Sequence, residues 1–243
     1  MTAHKRNAKI IRLNFYLIRH AESVYNVSGK VQGHLDSELS QNGIEQAISV
    51  AKLLREKKFD FCFTSDLMRA SHTAEYIIAE NKFKENIKYL KEKLLRERNF
   101  GEVQGRDKSY FIEKAQEANV SFEDFIPNGA ESKGEIVTRW KNFFENLCQK
   151  MWYESEKDEL DIMVVSHGAF MRESIKFMLK NYNCEFNYDL KELDKSAPNS
   201  SVTRFYVIME TRPDCDYSIC YIKFESFYDK SHLENLSETQ CDL

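Results

Sequence analysis

Two histidines, two arginines and a glutamate stand where runs of apolar residues stop. The run Leu13-Asn14-Phe15-Tyr16-Leu17-Ile18 ends at Arg19-His20, and Met163-Val164-Val165-Ser166 ends at His167-Gly168. Phe59-Asp60-Phe61-Cys62-Phe63-Thr64 is followed by Ser65-Asp66-Leu67-Met68-Arg69, and Glu97 lies in Leu95-Arg96-Glu97-Arg98, after a short strand expected between 87 and 95. Taken alone, each is also what a strand followed by a charged loop looks like. Together they describe a site, because ligands of open α/β sheets bind just beyond the carboxyl ends of the strands. Arginine presents a rigid fork of donors suited to multi-oxygen anions, and two of them suggest phosphate rather than a lone carboxylate. A neutral imidazole can attack phosphorus to form a phosphohistidine. Two arginines and a second histidine could hold the oxygens of the transferring group, and positioning with charge stabilisation supplies most of the catalysis in phosphoryl transfer. Glu97 could protonate the leaving oxygen and then deprotonate the attacking water. A helix opening after His167 would add backbone N–H groups to the pocket. This scheme requires neither metal nor cofactor, and the sequence offers no Asp/His cluster with ligand spacing.

The elements that must position these residues follow from patterning. Ser40 is a helix N-cap, and Ile44, Ala47, Ile48, Ala51 and Leu54 recur behind it at helical spacing. A second helix carries Ala70, Thr73, Ala74, Ile77 and Ile78. Residues 107–125 read as mostly helical, and 132–153 as a long helix with Val137, Trp140, Phe143, Phe144, Leu147 and Met151 on one face. Another strand spans 161–165, a helix 168–180, and 181–200 is irregular. Strands at 202–209 and 218–224 read as antiparallel neighbours at a sheet edge. The alternation of strand and helix implies a three-layer α/β/α sandwich with a mostly parallel central sheet and an antiparallel edge strand. One domain is expected over 1–243, with its core at about 13–226 and a polar, partly ordered tail at 227–243.

Composition excludes several classes. The formal net charge of −4 gives no reason to expect nucleic acid or an anionic membrane surface. No apolar run approaches the ~20 residues of a membrane span, and no signal-peptide core follows the basic first residues. The six cysteines form no CxxC pair and read as reduced thiols of a cytoplasmic protein. A monomer or weak dimer acting on a small phosphorylated metabolite is expected.

Five ordered motifs carry a family resemblance: Leu17-Ile18-Arg19-His20-Ala21-Glu22-Ser23 with Asn26; Gln32-Gly33, Asp36, Leu39-Ser40, Gly43 and Gln46-Ala47; Ser65-Asp66-Leu67-Met68-Arg69-Ala70 with Thr73-Ala74; Pro127 with Glu131-Ser132; and Val164-Val165-Ser166-His167-Gly168. Over about residues 13 to 210 the chain resembles the histidine phosphatase (phosphoglycerate-mutase-like) superfamily. The resemblance implies His20 as nucleophile and Glu97 as proton donor. It implies Arg19, Arg69 and His167 around the phosphoryl group, with Asn26 and the backbone at Ala169 as helpers and Gln32 and Gly33 lining the site. One departure stands out: Ala21 replaces the family's usual glycine. If that position needs φ > 0, alanine costs about 1 kcal/mol.

Phosphoglycerate mutases carry an Arg-His-Tyr-Gly-type stretch after the acid, whereas this chain has Arg98-Asn99-Phe100-Gly101, similar to the phosphatase branch. Within it the motifs around Arg69, Glu97 and His167, with Pro198-Asn199, look most like TIGAR-type fructose-2,6-bisphosphatases. That likeness implies a phosphatase of sugar or glycerate bisphosphates. A second phosphate needs a second cationic patch, for which Arg98, Arg106, Lys108, Lys133, Arg139 and Arg172 are candidates. The alternatives are a mutase, a 2,3-bisphosphoglycerate phosphatase, a protein phosphatase, or a weakly active regulatory scaffold. His34 and His72 read as structural.

Overall fold

The computed structural model describes residues 9–234 other than Glu123 and Asp214. Seven strands form one sheet: β1 Ile10–Arg19, β2 Phe61–Thr64, β3 Lys88–Lys91, β4 Glu159–Ser166, β5 Cys184–Glu185, β6 Val202–Glu210 and β7 Ser218–Asp229. Six helices accompany them: α1 Val24–Val27, α2 Gln41–Leu53, α3 Met68–Glu80, α4 Lys108–Glu117, α5 Lys133–Glu154 and α6 Gly168–Asn181.

The sheet order is β3-β2-β4-β1-β6-β7-β5. β1 pairs parallel with β4, β4 with β2, and β2 with β3, while β6 runs antiparallel to both β1 and β7. The antiparallel strand expected at the edge is therefore interior. β6 and β7 are antiparallel neighbours as expected, but β5 then pairs with β7, a two-residue segment too short to leave a signal in the sequence. β7 is also longer than expected and runs through 225–229, part of which the sequence assigns to a polar tail. Beyond it a 3-10 turn at Ser231–Leu233 docks on α2, where Ser49 Oγ donates to the His232 carbonyl at 2.5 Å. The remainder of the expected tail, 235–243, lies outside the described residues.

Alternation along the strands builds the layers. Leu13, Phe15 and Leu17 of β1 and Ile162 and Val164 of β4 join one core with α5 and α6. Ile18, Met163 and Val165 join the other with α2 and α3. In the first core Phe15 stacks on Phe205 with centroids 4.8 Å apart, and Trp140 on Phe144 at 5.4 Å. Each such fully buried side chain contributes about 1.5–3 kcal/mol. On α5 the buried position is Ile136 rather than the neighbouring Val137. α5 begins in a capping box: Ser132 Oγ accepts from Glu135 N–H, and the Glu135 carboxylate accepts from Ser132 N–H. No helix among the described residues is long and apolar enough to cross a membrane.

Candidate active site

β1 and β4 deliver the two histidines. Their register pairs Arg19 with Ser166, so the next residue on each strand is His20 or His167. His20 is locked at its backbone. Its N–H donates to the Ser166 carbonyl at 2.9 Å, and its own carbonyl accepts from Asn199 Nδ2 at 2.9 Å. The Ser200 N–H donates to the Arg19 carbonyl at 3.1 Å. His20 Nδ1 lies 2.7 Å from the Ala21 carbonyl. A carbonyl only accepts, so Nδ1 carries the proton and Nε2 keeps its lone pair. Burial, and then the charges of Arg69 and Arg19, hold the imidazole well below the usual histidine range, so it is neutral. His167 caps the start of α6 and is wholly buried. Burial comes first among the causes that lower its proton affinity too, followed by Arg69 and His20. Both its ring nitrogens are buried without a hydrogen-bond partner. An unpaired buried polar group costs about 1–3 kcal/mol, which a ligand oxygen would relieve.

The arginines are held by main-chain oxygens. An Arg19 Nη donates to the Ala197 carbonyl and lies 3.5 Å from Ser196 Oγ. Arg69 stands in the first turn of α3, buried, and donates to the carbonyls of Leu35 at 2.9 Å and Gly33 at 2.8 Å. Burial pushes its guanidinium down to about 10, which still leaves it cationic at neutral pH. Gly33 has φ +56, and a Cβ there would stand 2.0 Å from Gln104 Oε1. That oxygen accepts from the His34 N–H at 2.8 Å, so a side chain at 33 would both strain the backbone and displace Gln104 from this bond. Asn26 Oδ1 accepts from the Ser23 N–H at 3.0 Å, and Gln32 Oε1 lies 2.8 Å from Ser23 Oγ. Through Ser23 the two amides are fixed to the segment that follows His20. The start of α2 braces the same segment: the Glu22 N–H donates to Gln46 Oε1 at 2.9 Å, and the Ser40 N–H to the Glu22 carbonyl at 3.0 Å.

Glu97 reaches in from the loop after β3. Its Oε1 accepts from the Arg98 N–H at 2.7 Å and the Phe170 N–H at 3.0 Å, and its Oε2 from the Ala169 N–H at 3.2 Å. The sequence directs the Ala169 amide toward phosphate; in the structure it is a donor to Glu97. Ala21 is buried and lies outside the positive-φ region, in which the non-glycine residues are Asn119, Ser200 and Tyr228. The conformational cost anticipated for alanine there does not arise.

One cavity gathers Arg19, His20, Asn26, Gln32, Gly33, Arg69, Glu97 and Ala169, with His167 buried against His20, ring centroids 5.1 Å apart. Of the candidates for a second cationic patch, Arg98 and Arg172 line it. Arg106, Lys108, Lys133 and Arg139 lie outside its lining; Arg139 and Lys133 pair with Glu131 and Asp124 at 2.8 Å, and the lining Arg172 also pairs, with Glu173 at 3.1 Å. Sequence reasoning missed Lys30, Ser196 and the aromatic wall of Phe100, Phe111 and Phe122. Phe111 lies on the apolar face of α4, but periodicity does not say what that face covers. Ser196 sits in a segment with no pattern at all. Five cationic side chains around one carboxylate make this a site for an anion.

A profile of the histidine phosphatase superfamily (branch 1) matches residues 15–194. The chain is 32% identical over 216 residues to fructose-2,6-bisphosphatase TIGAR B of Danio rerio, covering 78% of this chain and 84% of that one. It is 31% identical over 242 residues to fructose-2,6-bisphosphatase TIGAR of Xenopus tropicalis, covering 82% and 88%. The fold matches the crystal structure of phosphoglycerate mutase from Bacillus anthracis with a TM-score of 0.71 at 23% identity, over 93% of this chain and 96% of that one.

Proposed function

The chain belongs to the histidine phosphatase superfamily, branch 1, and from that premise we propose that it hydrolyses phosphate monoesters of small metabolites, fructose-2,6-bisphosphate foremost, through a phosphohistidine on His20. The observation that carries this reading is the tautomer of His20: with Nδ1–H pinned to the Ala21 carbonyl, the lone pair of Nε2 is the nucleophile, beside two arginines in one cavity. Nε2 attacks phosphorus, the bond from phosphorus to the ester oxygen breaks, and protonated Glu97 gives its proton to that oxygen. Glu97, now a carboxylate, takes a proton from water. The water oxygen attacks phosphorus, the P–N bond breaks, and phosphate leaves with His20 and Glu97 restored. Arg19, Arg69 and the unpaired ring of His167 hold the phosphoryl oxygens, whose charge is greatest in the transition state. Asn26, Gln32 and Gly33 shape the wall, and the Ala169 amide orients Glu97. Neither step calls on a metal ion. We assign a second phosphate to Lys30, Arg98 and Arg172, which line the same cavity, Lys30 and Arg172 exchanging their ion pairs with Asp107 and Glu173 for it; the resemblance to named fructose-2,6-bisphosphatases at 32% and 31% identity supports a bisphosphate substrate.

The test is phosphate release without added metal from fructose-2,6-bisphosphate, fructose-1,6-bisphosphate, 2,3-bisphosphoglycerate, phosphoenolpyruvate, an aryl phosphate and a phosphopeptide. The expected result is the highest kcat/KM for fructose-2,6-bisphosphate and no change on adding a chelator. Preference for another metabolite overturns the substrate, and flat, slow turnover across the panel overturns the metabolic reading.

A further inference from the structure

Glu131 and Arg139 belong to no step of that chemistry, yet they converge on the residue assigned as the acid. Arg139, on the second turn of α5, donates through one Nη to the carbonyls of Leu94 at 2.7 Å and Arg96 at 2.8 Å, and through the other to the Glu97 carbonyl at 3.2 Å. One guanidinium thus gathers three carbonyls of the segment that carries Glu97. Glu131 fixes that guanidinium in turn by a two-point contact, Oε1 to Nε at 2.8 Å and Oε2 to Nη at 2.9 Å. Glu131 Oε2 also accepts from the Asn99 N–H at 2.7 Å, on the far side of Glu97. The arginine plane lies over Phe170, 4.9 Å from its centroid, and the Phe170 N–H is one of the three donors to the Glu97 carboxylate. His34 Nε2 completes the hold, 2.8 Å from the Glu97 carbonyl.

We infer that the Arg139–Glu131 pair is a positioning device that sets where the Glu97 carboxylate stands, by clamping its backbone from one side and the first turn of α6 from the other. The planar fork matters. Arg139 satisfies five acceptor contacts at fixed angles, and a lysine offers three donors from a point charge with no plane to lie on Phe170. A shift of Glu97 by about 1 Å is enough to cost on the order of 10²-fold in a step that depends on its geometry. The pair is itself poorly exposed, with side-chain accessibilities of 16% for Arg139 and 18% for Glu131, so its energy is not spent on solvent.

The inference rests on Glu97 as the acid of the proposed phosphatase reaction, and its test separates the two ideas. Arg139→Lys and the near-isosteric Glu131→Gln are assayed with an alkyl phosphate, whose leaving group needs a proton, and an aryl phosphate, whose leaving group does not. Each variant is expected to lose about tenfold or more in kcat on the alkyl ester, to stay within a few-fold on the aryl ester, and to add nothing further in the Glu97→Gln background. Equal loss on both esters, or additive loss in the double variants, overturns it. A second readout needs no turnover: amide hydrogen exchange at Ala169 and Phe170, donors to Glu97, is expected to quicken in Arg139→Lys and Glu131→Gln, and likewise in Glu97→Gln. Unchanged exchange overturns the positioning role. Quickened exchange in a chain that hydrolyses neither ester leaves the positioning role standing and removes the phosphatase reading. If Arg139→Lys fails to fold, Glu131→Gln alone decides both readouts.

Discussion

His20 and His167 follow paired residues on parallel strands and stand with ring centroids 5.1 Å apart, their planes inclined by 55°. Both are held neutral by burial and by Arg69. The ordinary histidine value is 6.5, and the folded value of each lies well below it. Between the two values the unfolded chain binds protons that the folded chain does not, so stability rises with pH in that window and is lost as pH falls from about 6.5 toward the folded values. Thermal denaturation at intervals below pH 6.5 is expected to show a falling Tm, with a shallower fall in His167→Asn. A Tm independent of pH there would mean that the rings ionise freely in the folded protein.

Replacing His20 with Ala is expected to abolish turnover together with acid-labile phosphate incorporation. Near-normal hydrolysis by that variant would remove His20 as the nucleophile. Replacing Glu97 with Gln is expected to slow an alkyl phosphate by about 10²–10⁴-fold and an aryl phosphate far less, measured as kcat on each. Equal slowing of both would count against Glu97 as the acid.

Arg69 has a structural load as well as a chemical one. Arg69→Met leaves the Gly33 and Leu35 carbonyls without their donor, at about 1–3 kcal/mol for the buried Gly33 carbonyl and less for that of Leu35, an exposed residue whose carbonyl water can reach. Urea denaturation is expected to show a loss of that order together with loss of phosphate-ester hydrolysis. Full stability in the variant would mean that the 33–35 turn does not depend on the guanidinium.

Ala21→Gly, which restores the residue usual in the family, is expected to lower stability by about 0.5–1 kcal/mol, because glycine adds unfolded-state freedom where the native backbone has no need of it. Activity is expected to stay within twofold. A rise in kcat of several-fold would show that the Ala21 methyl obstructs the site.

The site was legible where local patterning breaks. Arg19, His20, Arg69 and His167 each stand just past an apolar run, and charge at the end of a buried strand has few structural uses. Glu97 follows only a short, weakly patterned strand, and its charge-dense stretch reads equally as a solvated turn until the family resemblance is added. Elements whose identity is set by partners were not legible. Nothing in Val202–Glu210 says that its neighbours are β1 and β7 rather than solvent, so sequence alone assigns the antiparallel strand to the edge. The two residues of β5 have no period of their own. The sequence shows the helix start behind His167 but not that a carboxylate 72 positions earlier reaches the Ala169 amide, which is why phosphate is the partner that reading assigns to it. Arg139 reads as one of six candidates for a second phosphate for the same reason: its acceptors include three carbonyls, which every sequence has everywhere.

The strand that carries Arg19-His20 is flanked in the sheet by β4 and β6, and the amides of Ser200 and Asn199 close over its end. β1 is made before both of its neighbours, with two open edges and one wholly apolar face of Ile11, Leu13, Phe15 and Leu17, and neither edge is covered until residues 159–166 and 202–210 have followed. A chain that ends before residue 199 has the nucleophile but not the two donors that fix its carbonyl. Open strand edges invite pairing with other chains, so until its two neighbours are made β1 is a segment at which chains can associate wrongly.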